Sequence, residues 1–150
     1  MSAESVDRLD LREPVLCGRL ETIRQAVERM RRKHLGCVIA LDADGTGLGI
    51  FTEGMLTELL CKQGAAVLDE VVSDHLMNPW PHVLKSDPIS RVLEEMQANN
   101  TRFIGVLDEA GQVVGLTGQK GLMEYVSEHF PQQVMVQRVG SKPPSEREGA

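Results

Sequence analysis

The chain has 150 residues, 41% hydrophobic and 25% charged, the make-up of one globular domain or of two small ones sharing a core. Sixteen Lys and Arg against 22 Asp and Glu leave a net charge of −6, and an acidic surface is a poor platform for nucleic acid or an anionic membrane. No apolar run approaches the roughly 18–20 residues that span a bilayer, the first residues lack the pattern of a signal peptide, and three cysteines without a Cys-x-x-Cys pair make no disulfide framework. A reduced, soluble, cytoplasmic protein is therefore expected.

Residues 1–13 form an N-terminal segment whose Leu9 and Leu11 fit no periodic element; they pack on the body of the chain or on a partner. Thr22 then N-caps a helix, with Gln25 three residues on completing a capping box. Ile23, Ala26, Val27 and Met30 follow at i, i+3, i+4 and i+7, one apolar helical stripe. The run Cys37-Val38-Ile39-Ala40-Leu41 is short enough to be a buried strand. Asp42-Ala43-Asp44-Gly45 is hairpin-turn chemistry, and Leu48–Phe51 forms the returning strand. A helix runs from about Glu53 to Lys62. Val71–Met77 suits a short helix that Asn78-Pro79-Trp80-Pro81 must end.

The same elements then recur. Asp87 is expected as a helix cap with Pro88 at the first helical position, and Ile89, Val92, Leu93 and Met96 form the stripe. Strands follow at Phe103–Leu107 and Val113–Thr117, joined by the turn Asp108-Glu109-Ala110-Gly111, and a helix spans about Gln119 to His129. Residues 132–150 read as a tail, largely disordered, whose last part has almost no apolar content. Ile23 recurs as Ile89, 66 positions on, and the same offset pairs Glu28 with Glu94, Met30 with Met96, Asp42 with Asp108 and Gly45 with Gly111. It also pairs Gly49 with Gly115, Leu56 with Leu122 and Glu58 with Glu124, all without a gap. The chain is two copies of one unit.

Those residues give the chain its likeness to a known family. Thr22–Met30, Ala40–Gly45, Gly49–Glu53, Val72–Met77, Asp87–Met96 and Gly105–Leu116 resemble a tandem pair of CBS (cystathionine-β-synthase) domains, a Bateman module of the free-standing bacterial type. The resemblance covers roughly residues 14–131 and implies an α+β fold: repeat one with its linker at 14–80, repeat two at 81–131, related by a pseudo-twofold axis. It implies two clefts that take adenosine compounds (AMP, ADP, ATP or S-adenosylmethionine), a homodimer, and an effector protein that receives the signal. No catalysis, covalent cofactor or metal is implied.

In ligand-binding members of the family the second strand runs into Gly-h-h-Thr/Ser-x-x-Asp, h being apolar; the hydroxyl and helix start suit phosphate and the Asp holds the ribose hydroxyls. The resemblance places nucleotide-binding positions at Gly36, Cys37, Val38, Thr52 and Met55 in copy one and at Arg102, Gly118 and Gly121 in copy two. Copy one keeps Thr52 but has Met55 at the Asp position; copy two has Gly118 at the hydroxyl position and Gly121 at the Asp position. Thr117 comes one residue early, and strand alternation turns it to the opposite face. Charge-assisted hydrogen bonds contribute about 1.5–3 kcal/mol each, so losing the carboxylate weakens binding by roughly ten- to several-hundred-fold. Copy one, with Thr52, is then the better remaining cleft, and Glu53 is expected to point elsewhere. Arg102 stands where relatives often carry a phosphate-contacting cation, although a solvated or salt-bridged arginine is the simpler reading. Two functions follow: a nucleotide-sensing regulatory module, or a dimerisation scaffold that has lost its ligand.

Other features have plainer readings. Gly45-Thr46-Gly47-Leu48-Gly49 precedes a strand, not a helix, so its glycines belong to a hairpin rather than to a phosphate loop. Cys17, Cys37 and Cys61 with the four histidines have no zinc-like spacing, and Cys37 is a small core residue. The basic run Arg29–His34 complements a helix C-terminus. Trp80 stacks on adenine, fills a dimer interface or, as such a residue more often does, packs on its own core. No Gly-x-Ser-x-Gly or His-Glu-x-x-His marks a catalytic centre.

Overall fold

The computed structural model describes residues 4–129, so the tail expected at 132–150 lies outside the described residues. Copy one contains β1 (Leu16–Gly18), α1 (Ile23–Lys33), β2 (Cys37–Leu41), β3 (Gly47–Thr52) and α2 (Glu53–Gln63). Copy two contains β4 (His82–Leu84), α3 (Ser90–Asn99), β5 (Phe103–Leu107), β6 (Val113–Gly118) and α4 (Gln119–His129). Each copy builds a three-stranded sheet, ordered β1-β2-β3 and β4-β5-β6, in which the short first strand runs parallel to the second and the hairpin closes antiparallel. The fold is α+β, as expected. The strands β1 and β4 were not foreseen, because three residues carry no periodic signal.

The hairpins turn at glycines in the left-handed region, Gly45 at φ +90° and Gly111 at φ +87°, as their turn chemistry predicts. The capping box of α1 is formed: Thr22 accepts from the Gln25 N–H, and the Gln25 side chain accepts from the Thr22 N–H at 2.9 Å. Ile23, Ala26 and Met30 are buried against β2 and β3, whose Val38, Ile39, Ile50 and Phe51 have no exposed surface. Two expectations for copy two need correction. Helix α3 begins at Ser90, and the Asp87 carboxylate caps nothing: it accepts from the Leu84 N–H at 2.9 Å. Glu21 does the same for the Gly18 N–H at 3.0 Å, so Asp87 is the counterpart of Glu21, and the true counterpart of Thr22 is Pro88, which has no capping side chain. Leu93, at the edge of its stripe, is 49% exposed rather than buried.

The segments that precede each copy are exchanged. The turn of 3₁₀ helix at Val72–His75 docks on copy one, with the Ile23 N–H donating to Glu70 O at 2.9 Å and the Val72 N–H to Glu21 O at 2.8 Å. Its counterpart at Val6–Arg8 docks on copy two, where the Ile89 N–H donates to Glu4 O at 2.9 Å and the Val6 N–H to Asp87 O at 2.8 Å. Val6 and Leu9 are buried with Val83, Val92 and Ile104 in the core of copy two. Arg12 then bridges Leu116, donating at 2.8 Å and accepting at 3.0 Å. The N-terminal residues thus form one wall of whatever lies at the end of β6. Trp80 is buried at 7% exposure, in a core cluster to which both copies contribute. Among the described residues no helix is long and apolar enough to cross a membrane.

Candidate functional site

A cavity of about 600 Å³ opens where the two copies and the N-terminal segment meet. Asp10–Arg12 form one wall and the connection His34–Gly36, between α1 and β2, forms another. Copy two supplies the remainder: Arg102 and Phe103 at the start of β5, the end of β6, the first turn of α4 and Glu124.

The floor is made by glycines that packing requires. A Cβ on Gly118 would lie 2.0 Å from the carbonyl oxygen of Arg102, because β5 and β6 pair Phe103 with Gly118 at that point. A Cβ on Gly121 would lie 2.6 Å from the Thr117 hydroxyl. At Gly118 any side chain would thus meet backbone, whereas at Gly121 the Thr117 side chain would have to shift. Thr117 occupies the position of Phe51 in copy one and is only 5% exposed. Among the described residues its Oγ1 is buried without a hydrogen-bond partner, which costs about 1–3 kcal/mol unless water or a bound group satisfies it.

Of the positions expected to bind nucleotide, Gly36, Arg102, Gly118 and Gly121 come together around this cavity. Cys37 and Val38 are buried in β2, and burial pushes the Cys37 thiol up to about 12. Thr52 is engaged elsewhere: its hydroxyl accepts from the Met55 N–H at 3.2 Å and caps α2. Met55 is half-buried against the core. The cavity therefore lies at copy two, whereas the retained Thr52 pointed to copy one. The Glu53 carboxylate lies 3.2 Å from where a Cβ on Gly36 would stand.

Asp10, Arg12, His34, Lys120 and Glu124 line the cavity without any motif to announce them. A faint signal existed for the N-terminal wall, since Val6 recurs as Val72 at the 66-residue offset. Arg12, Arg102 and Lys120 form no ion pair among the described residues, and Arg102 rests 5.7 Å over the Phe103 ring. Among the described residues no cluster of His, Cys, Asp and Glu could hold a metal ion.

Comparison with known proteins gives a consistent result. A family model described as CBS domain matches twice, at residues 6–62 and 72–128. No curated protein sequence matches the chain. Among solved structures, a CBS-domain containing protein from Agrobacterium tumefaciens is similar at 28% identity and a TM-score of 0.67, covering 79% of this chain and 87% of that one. A CBS domain protein from Pyrobaculum aerophilum, complexed with AMP, is similar at 19% identity and a TM-score of 0.72, covering 92% of this chain and all of that one (100%). The CBS domain pair of protein MJ0100, in complex with 5′-methylthioadenosine and S-adenosylmethionine, is similar at 15% identity and a TM-score of 0.71, covering 85% and 98%.

Proposed function

The chain belongs to the CBS-domain family, and from that membership we propose that it is a regulatory module that binds an adenosine compound between its two copies and signals to a partner protein. The observation that carries this reading is the cavity of about 600 Å³, walled jointly by copy one, copy two and the N-terminal segment. Its volume falls within the usual range for small-molecule sites. A ligand that touches all three walls has different contacts in different arrangements of the copies, which is the condition for shifting between them. The similar proteins complexed with AMP, and with 5′-methylthioadenosine and S-adenosylmethionine, support the choice of ligand class. Family members are typically regulatory modules rather than enzymes, and the reading extends to a cytoplasmic homodimer, which light scattering tests.

A thermal-shift panel with AMP, ADP, ATP and S-adenosylmethionine at millimolar concentration tests the binding. A ligand present at about a hundred times its dissociation constant stabilises by roughly 2.7 kcal/mol, a shift of several degrees in a chain of this size. Met55 and Gly121, standing where ribose-binding carboxylates are expected, favour a second reading as a dimerisation scaffold without ligand. No shift with any of the four would support that second reading.

A further inference from the structure

We propose that residues 4–12 form a strap whose docking on copy two is linked to occupancy of the cavity, so that this segment reports what the cavity holds; the inference rests on the sensor reading above. The strap is anchored by one set of residues and lines the cavity with another. Val6 and Leu9 are the anchor, buried in the core of copy two and outside the cavity lining. Backbone bonds hold them there: the Ile89 N–H donates to Glu4 O at 2.9 Å and the Asp7 N–H to Lys85 O at 3.1 Å. The Tyr125 hydroxyl also donates to Glu4 Oε1, at 2.5 Å. Asp10, Leu11 and Arg12 are the wall. A ligand gains contacts with that wall only when the strap is docked. Binding therefore favours docking, and docking favours binding by the same factor.

Two features set the strap apart from the other walls. Those walls belong to the copies, which are tied to one another where the Gly47 N–H donates to Gly111 O. The strap, in contrast, carries slack where it passes the cavity. Over copy one, Val72 is buried and Leu76 lies against Gly49, four positions later. Over copy two, Val6 is buried and Leu11 lies against Gly115, five positions later. The bridges slip by the same single residue. Met77 pairs with Ile50, yet it is Arg12, and not the counterpart Leu11, that pairs with Leu116. One residue more spans the equivalent path, and the surplus falls between anchor and seat, where Asp10 joins the wall. On the outer side Glu4, Asp7, Arg8 and Asp10 are exposed, a charged face on which a partner can read whether the strap is docked.

Gly115 lies under the strap and outside the cavity lining, which makes it a positioning residue open to test. A Cβ there would stand 2.8 Å from Leu11 Cβ, an atom that moves only with its backbone, so Gly115→Ala lifts the strap. Gly49→Ala makes the same intrusion under the copy-one strap, 3.0 Å from Leu76 Cβ and away from the cavity. The full chain is titrated by calorimetry with the tightest binder among AMP, ADP, ATP and S-adenosylmethionine, at a temperature where every variant stays folded. Affinity is expected to fall about tenfold in G115A and to stay within about twofold in G49A. Leu9→Ala loosens the anchor without touching the wall; it is expected to weaken binding likewise, and it carries the test if G115A does not fold. In the parent, ligand at about a hundred times its Kd is expected to slow hydrogen exchange of the Val6, Asp7 and Arg12 amides by about tenfold or more. The Gly64 amide, at the end of α2, is expected to keep its rate. Unchanged affinity in G115A and L9A, equal losses in G115A and G49A, or strap amides no slower with ligand would overturn the inference and leave the sensor reading in place. Binding of none of the four, by calorimetry or thermal shift, would overturn both.

Discussion

Thr46 and Gln112 occupy the same position in the two copies, and they bridge one another directly in antiparallel fashion. A residue that pairs with its own counterpart lies on the axis relating the two, so the hairpin turns mark the pseudo-twofold axis. The Gly47 N–H donates to Gly111 O at 3.1 Å, and the Gln112 side-chain amide reaches Asp44 O at 3.3 Å. The copies therefore share backbone hydrogen bonds as well as a core, and neither hairpin is free to move alone.

Trp80 fills the space beside that axis. A Cβ on Gly47 would stand 3.2 Å from Trp80 Cζ2, and one on Gly105 would stand 2.6 Å from Cζ3, so the ring is held between β3 of copy one and β5 of copy two. Trp80→Ala is expected to destabilise by about 3–5 kcal/mol. Gly105→Ala is expected to lose about 1–3 kcal/mol by overpacking rather than by leaving a void. Urea unfolding measures both. A Gly105→Ala variant as stable as the parent would show that the ring can move aside.

The buried Thr117 hydroxyl yields a prediction with two readouts of opposite sign. Thr117→Val keeps the shape, removes the unsatisfied oxygen and is expected to raise the ligand-free melting temperature by a few degrees. The same change removes a hydroxyl at the end of β6, beside the cavity, and is expected to weaken AMP binding. Destabilisation of the ligand-free chain would mean that the hydroxyl is satisfied in solution, by water for example.

Thiol chemistry should separate the three cysteines. Burial raises the Cys17 and Cys37 thiols from 9.0 to about 12, with the Glu21 carboxylate adding to the effect at Cys17. Cys61 is exposed on α2. A disulfide reagent at mild alkaline pH is expected to label Cys61 alone in the folded chain and all three after denaturation. The folded state keeps both buried thiols protonated to about pH 12, whereas unfolded thiols ionise from about pH 9. The unfolded state then binds fewer protons, so stability falls as pH rises through that window. A melting temperature constant from pH 9 to 11 would contradict the assigned burial.

Much of this architecture is legible in the residues, because the unit is written twice. Capping boxes, apolar stripes and Asp/Gly turns are local, so Thr22, Ile23 and Gly45 announce their roles. The cavity is a different matter. Gly118 and Gly121 look like losses when matched to a signature, yet a Cβ there would stand 2.0 Å from Arg102 O and 2.6 Å from Thr117 Oγ1, so a larger residue needs its neighbour to shift. Such contacts join β5, β6 and α4, and neither spacing nor composition carries them. The N-terminal wall is likewise invisible, since Val6 and Leu9 are paired with an element some eighty residues away whose partner strand was too short to foresee.

Thr52 gives the sharpest test of where a ligand sits. The residue matches the family signature, and on that ground alone its loss should weaken nucleotide binding. Its hydroxyl already caps α2, however, accepting from the Met55 N–H at 3.2 Å, and it is not among the cavity walls. Thr52→Ala is therefore expected to destabilise by about 1 kcal/mol, the usual value of an N-cap, and to lower the melting temperature by several degrees. AMP affinity should stay within about twofold of the parent, a difference well under 1 kcal/mol. Calorimetry at a temperature where both chains remain folded keeps the two effects apart. A tenfold loss of affinity would return the ligand to copy one, where the signature alone had placed it.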